Sequence, residues 1–346
     1  MSKVAIENLK GVCIEILKRY GVSEEDASII ADSIEYAHCR GKHSHGIGRM
    51  SIYTRKMQKG LMNHCTPMQV VKDIGAVIVC DADNGFGQVA AIRGADIALK
   101  KADCFGVGVV GIRNSNNFGT AGYVGEYVTK HGMICLIFSN SGPAIAPTGG
   151  VKALLGTNPM CFAFPSKKGL APIVFDMACS NVARGKIRLA AKNGGTIPFG
   201  WAVDENGKET NDPQAALKGA MIALGGYKGY GLALCVDVLA GLLTGAAFGG
   251  DVKNLNHPSE ISRYGHLMFV IDPNCFMNER EYTEKILYLI DNLRSCGTVG
   301  NILYPGEGSY KLAQQNSINV EIADSLIDQL NKLAEYSEVG KRIKKI

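Results

Sequence analysis

From about residue 74 onward the chain alternates short apolar runs with helical stretches, and this alternation limits the fold more than any single motif. Residues 76–80, 107–112, 133–138, 160–164 and 172–175 are apolar runs of strand length, several of them closed by turn residues such as Asp83-Asn84-Gly85. Between them, residues 87–101 are Ala-rich and residues 123–130 and 181–192 have helical character. Such a segment forms strands with helices laid on them, so the expected fold class is mixed α/β. A further strand is expected at 266–271, and Asn206-Gly207 between short extended pieces signals a hairpin within 201–210.

Both ends are mainly helical. Leu9, Val12, Cys13, Ile16 and Leu17 share one face of a helix that Gly21 ends. Ser23 before Glu24, Glu25 and Asp26 starts a second helix, running to about residue 39. Ser44 can cap a third, through about residue 59, and helices are expected at 230–244, 279–293 and 322–345. The expected organisation is a helical subdomain of residues 1–74 and 257–346 around a mixed α/β cofactor-binding domain of residues 75–256.

Composition removes several function classes. The chain has 346 residues, 46% hydrophobic and 20% charged, which suits a folded protein and not a disordered one or a coiled coil. The net charge is 37 − 32 = +5, too mild to call for nucleic acid and compatible with a small anionic ligand. The basic run Lys341–Lys345 reads as a solvated helix end. Eleven cysteines without a Cys-x-x-Cys read as reduced, mostly buried thiols of a cytoplasmic protein. The N-terminal segment lacks the continuous apolar block of a signal peptide. The apolar stretch 229–250 holds Asp237 and several glycines, so a buried helix is expected there and not a membrane span.

Three motifs invite chemistry. Gly106-x-Gly108-x-x-Gly111 has the dinucleotide spacing, but its glycines lie inside the apolar run where the fingerprint needs a strand before and a helix after. A strand packed under a helix is the better reading. The run from His38 to His45 looks like a metal cluster, yet no matching second Cys/His pair exists, so zinc is a poor reading. If Ser44 caps a helix, His45, Arg49 and Tyr53 fall at i, i+4 and i+8 of one face. Arg49 could then grip a carboxylate while His45, kept neutral by the positive helix end, exchanges a proton. Spacing leaves this reading level with a merely solvated face. Asp176, at the end of an apolar run, could accept a ribose hydroxyl or cap a helix. Lys228 among Gly225, Gly226, Gly229 and Gly231 could approach a phosphate.

Six segments in one order tip the balance: Ser44–Arg49 with Tyr53, residues 114–123, 156–159, 176–186, 197–201 and 226–231. Together they resemble the malate/L-lactate dehydrogenase family of the second, non-Rossmann type, with its ureidoglycolate, sulfolactate and diketogulonate relatives. The resemblance implies that family's own α/β fold, a homodimer, NAD or NADP as cofactor, and a 2-hydroxy or 2-oxo carboxylate as substrate. It implies His45 as acid/base, with Arg49 and Tyr53 on the substrate. It implies a cofactor site of Ser141, Asp176, Met177, Ala178, Lys228, Gly306, Glu307 and Gly308. One position departs: many members carry histidine where this chain has Asn117, which cannot carry a proton through turnover. That loads the proton chemistry onto His45. The expected reaction is hydride transfer on malate first, lactate or ureidoglycolate next. The alternatives are a cyclic imine carboxylate reductase or, given Asn117, a catalytically silent nicotinamide-binding protein. No nucleic acid or membrane partner is expected.

Overall fold

The computed structural model describes residues 1–167, 169–257, 259–297 and 302–346. The chain begins with β1 (Ser2–Ala5), α1 (Ile6–Arg19), α2 (Glu24–Cys39) and α3 (Met50–Gln58). It continues through β2 (Gln69–Ile74), β3 (Val77–Asp81), α4 (Gly87–Phe105), β4 (Val107–Ser115), α5 (Ala121–Thr129), β5 (Ile134–Ser139), β6 (Met160–Phe164) and β7 (Ile173–Met177). A small lobe holds α6 (Arg184–Lys192), β8 (Ala202–Val203), α7 (Pro213–Lys218), β9 (Ala220–Met221) and α8 (Tyr227–Val236). Then come β10 (Tyr264–Ile271), α9 (Glu279–Ser295), α10 (Glu307–Gln315), β11 (Asn319–Ile322) and α11 (Asp324–Tyr336).

A seven-stranded sheet in the order β2-β3-β4-β10-β5-β6-β7 organises the molecule, and only its β3–β4 pair is parallel. The helix α4 makes the crossover between those two strands, as a parallel pair requires. The glycine triplet lies at this crossover. Gly106 ends α4 with φ +76°, and Gly108 and Gly111 sit within β4. A Cβ on Gly108 would stand 2.0 Å from the Ala98 carbonyl oxygen, so the glycine lets the strand press against α4. No helix follows until α5, and the dinucleotide fingerprint is absent from this motif.

Among the described residues there are three large apolar cores and a smaller cluster of Ala171, Ile290 and Tyr304. The apolar faces of α1 and α2 pack with α11 and the chain's last residues, including Val339 and Ile343. The helices α4 and α5 cover one face of the sheet. The small lobe and α8 pack against Phe138, Met160 and neighbouring residues. As expected, Ser23 caps α2, its Oγ accepting from the Asp26 N–H at 3.1 Å.

Several expectations need correction. The boundaries at 74/75 and 256/257 cut through the sheet: β2 is its edge, and β10, from a segment assigned to the helical ends, lies at its centre. The helix expected from Ser44 starts only at Met50, after two short 3-10 turns at His43–His45 and Ile47–Arg49. The buried His38 causes this. Its Nε2 accepts from the Ile47 N–H at 2.9 Å, and a Cβ on Gly46 would lie 2.1 Å from that nitrogen, so the backbone must bend there. At the other end, α11 stops at Tyr336, short of residue 345. Glu338, at φ +54°, and Val339 close it by donating to Glu335 and Ala334. The basic run is therefore not a helix end. It returns along α1 and β1, with Lys341 near Glu15 (3.8 Å) and Lys345 on Asp324 (2.9 Å). The 230–244 segment is helical through a π-helical continuation at Asp237–Leu242, but one side of it is exposed, Cys235 included. The Asn206-Gly207 turn forms, yet the principal partner of β8 is β9. No described helix is long and apolar enough to cross a membrane.

Candidate active site

The two 3-10 turns after α2 carry the site's first group of side chains. His45 lies in the first turn, with its Nδ1 3.0 Å from the Ser44 Oγ, a contact that orients the ring. Arg49 ends the second turn. Its Nε donates to the Ser44 carbonyl at 2.9 Å, which folds the side chain back over His45 and leaves both terminal NH₂ groups for a ligand. His45 and Arg49 therefore come together through a bent turn, not as one helix face.

Charge and burial tune the imidazole. Burial lowers the His45 pKa to about 3, and the Arg49 guanidinium and Lys42 ammonium push the same way. The Asp176 carboxylate opposes them. His45 is neutral at pH 7, as the sequence suggests, but desolvation and neighbouring cations are the cause, where the positive end of a helix was expected to be. Lys42 donates to Asp176 Oδ2 at 2.5 Å, so Asp176 is held by an ion pair at the end of β7 and does not cap a helix there. This ion pair bridges the turn that carries His45 and the end of β7. Lys42 and Ser44 lie inside the run read from sequence as a poor metal cluster or a cap, and their position beside His45 was the available signal. Among the described residues, no group of three or more His, Cys, Asp or Glu side chains is arranged to hold a metal.

Tyr53 lies deeper. It is 1% exposed, packs edge-on against Phe86 and accepts from Gln88 Nε2 at 2.6 Å. Gln88 also lines the loop that carries Asn117: a Cβ on Gly119 would lie 3.8 Å from Gln88 Cγ. Asn117 itself accepts from the Gly119 N–H at 3.3 Å. The buried Gln88 Oε1 and Thr120 Oγ1 have no partner, so two polar atoms wait at the junction of Tyr53 and this loop.

The expected cofactor residues fall in two groups. Ser141 lies 3.5 Å from the Thr157 hydroxyl, and the Thr157 carbonyl accepts from the Cys179 N–H at 2.8 Å, next to Met177 and Ala178. Lys228 stands nearby on α8: a Cβ on the adjacent Gly229 would lie 2.9 Å from the Cys179 carbonyl. Lys228 is exposed beside Gly225 and Gly226, both at positive φ, and nothing fills the space over Gly226. An exposed lysine with no ion-pair partner among the described residues, beside an open glycine turn at a helix start, fits the phosphates of a dinucleotide. Gly306 and Gly308 flank the start of α10 behind β7, where Val174 N–H donates to the Pro305 carbonyl at 2.9 Å. Glu307 is buried there and already paired with Lys311 (2.8 Å) and Arg294 (3.0 Å), so its carboxylate anchors α10.

Comparison with known proteins gives the family to which the chain is similar. The family model described as malate/L-lactate dehydrogenase matches residues 4–331. The chain is 40% identical to L-sulfolactate dehydrogenase of Methanocaldococcus jannaschii over 97% of both sequences. It is 33% identical to ureidoglycolate dehydrogenase (NAD(+)) of Escherichia coli O157:H7, again over 97% of both. The solved M. jannaschii sulfolactate dehydrogenase superposes with a TM-score of 0.90 at 39% identity, covering 97% of this chain and 98% of that one. Delta1-piperideine-2-carboxylate reductase of Pseudomonas syringae gives a TM-score of 0.88 at 31% identity, covering 96% of this chain and 100% of that one.

Proposed function

This chain belongs to the malate/L-lactate dehydrogenase family, a group of NAD(P)-dependent 2-hydroxyacid dehydrogenases, and from that premise we propose that it interconverts malate and oxaloacetate with His45 as its acid/base. Lactate and ureidoglycolate follow as candidate substrates. The observation that carries this reading is the pairing of a neutral His45 with Arg49, whose terminal NH₂ groups have no partner among the described residues.

In oxidation, His45 accepts the proton of the substrate hydroxyl; in reduction it returns one to the carbonyl oxygen. Arg49 holds the substrate carboxylate through two parallel hydrogen bonds and so fixes the orientation of C2. The carboxylate in turn screens Arg49, which eases protonation of His45 when substrate is bound. Lys42 and Asp176 hold the turn against β7. Tyr53, being buried, contacts substrate only through its hydroxyl, and Asn117 offers a hydrogen bond without proton storage. A nicotinamide cofactor supplies the hydride exchange at C2 when bound. Ser141, Asp176, Met177, Ala178 and Lys228 would hold it, with Gly306, Glu307 and Gly308 at the back of β7.

We also assign a homodimer. Tyr227, Leu232, Leu234, Val238, Leu242 and Leu243 are exposed apolar side chains on α8 and its π-helical extension, and a second copy of the chain would cover them. Five exposed free thiols fit a reducing, cytoplasmic setting.

The test is absorbance at 340 nm with NADH or NADPH and a panel of 2-oxo acids, with a cyclic imine carboxylate included. Turnover of oxaloacetate is expected, and His45→Ala should slow it by about 100- to 10,000-fold while cofactor binding persists. Full activity in that variant removes the assignment. Cofactor binding without turnover of any substrate favours the silent protein that Asn117 suggests.

A further inference from the structure

We propose that Arg188 receives a second anionic group on the substrate, so that the site is built for 2-hydroxy and 2-oxo acids carrying an acid at each end. This rests on the dehydrogenase reading and adds the residue that would choose malate-like acids over its singly charged candidates. The start of α6 lies against the acid/base turn, where a Cβ on Gly185 would sit 3.7 Å from the Ser44 Cβ. Two arginines follow at helical spacing on this element, Arg184 and Arg188. Arg184 is spent on the scaffold: it donates to the Pro143 carbonyl at 3.2 Å and the Leu217 carbonyl at 3.1 Å, which fixes the rotation of α6.

Arg188, one turn further on, is exposed and has no hydrogen-bond or ion-pair partner among the described residues. Arg49 spends only its Nε, on the Ser44 carbonyl. The two guanidiniums are near enough for the Arg49 charge, after burial, to lower the Arg188 pKa. Both remain charged at neutral pH, because arginine does not deprotonate in proteins. Lys42, Arg49, Arg184 and Arg188 thus bring four cations to this region, and the Asp176 carboxylate is paired with Lys42.

Like charges facing one another without counter-ions are unfavourable, and a ligand with one acidic group relieves only one of them. A ligand with two relieves both. His45 stands beside Arg49, so the carboxylate next to the reacting carbon belongs on Arg49. The far acid, a carboxylate or a sulfonate, then falls to Arg188. A substrate with an uncharged far end leaves Arg188 without a counter-ion.

The test compares oxaloacetate with 2-oxobutanoate, similar in size but differing by one negative charge, in the wild type, R188Q and R188K. In R188Q the ratio of kcat/KM for oxaloacetate to that for 2-oxobutanoate should fall by about 10- to 100-fold, the value of a charged hydrogen-bonded contact. R188K should keep most of the ratio, which a merely structural role does not predict. An unchanged ratio in R188Q overturns the proposal. So does a rise in the cofactor KM in place of the substrate effect, which would put Arg188 on a cofactor phosphate. If the wild type reduces neither acid, the dehydrogenase reading fails separately. Calorimetric titration with tartronate and glycolate then decides the inference, since R188Q must still lose the preference for tartronate.

Discussion

His45 sits among Lys42, Arg49 and Asp176, and its proton affinity is the outcome of that company. Burial and two cations outweigh one carboxylate that is itself paired with Lys42. The sign gives a pH prediction. Oxidation of a hydroxy acid needs neutral imidazole. An ordinary histidine with a pKa near 6.5 would lose about tenfold in rate at pH 5.5. With the His45 pKa lowered to about 3, kcat/KM for oxidation should stay level from pH 8 to 5.5. Initial rates across that range check it, and an inflection near 6.5 would mean that the imidazole is solvated. At this scale the sequence offers residue identities and spacing. It does not offer the charge setting around the ring, because Asp176 lies 134 residues from the Lys42 it pairs with.

Among elements, α4 and β4 show why glycine spacing misleads. A Cβ on Gly108 would meet the Ala98 carbonyl at 2.0 Å, and one on Gly94 would meet the Ile112 Cδ1 at 2.7 Å. The helix and strand approach closely because each yields side-chain volume to the other. Gly108→Ala should therefore destabilise the protein by about 1–3 kcal/mol or more through overpacking, read as a lower urea midpoint. A neutral result would mean that the crossover can slide. Elements governed by local rules match the sequence reading: β6 has the expected bounds, and α2 starts at its Ser23 cap. Elements bent by distant contacts do not match it. The turn at 43–49 departs from its helical pattern because His38 reaches beneath it, and α11 ends where Glu338 adopts positive φ.

Over the whole molecule, three buried or half-buried histidines make stability depend on acidity. Burial lowers the pKa of His38 to about 4 and of His45 and His266 to about 3. His266 is fully buried on β10 between Ser139 Oγ (2.9 Å) and Ser115 Oγ (2.8 Å), tying three strands of the sheet together. The unfolded chain takes up these protons near pH 6.5 and the folded chain does so only far lower. Stability is thus complete above about pH 6.5 and is lost as pH falls, by up to about 1.4 kcal/mol per histidine per pH unit. Denaturant unfolding at pH 7.5 and 5 should show the loss, and His266→Gln should make the slope shallower. An unchanged midpoint between those pH values would contradict the buried, neutral state.

What the residues alone determined was local: the type of most elements, the capped start of α2, the packing role of the glycine triplet and the nearness of His45 to Arg49 along the chain. Apolar periodicity and turn chemistry act over a few residues, so they can be read in order along the chain. Tertiary structure decided which strands are neighbours. It put β10 at the centre of the sheet, closed the Lys42–Asp176 pair across the site and brought α6 with Arg188 toward Arg49. Those outcomes depend on contacts between segments tens to hundreds of residues apart, and on the loss of water that such contacts impose, neither of which has a local signature.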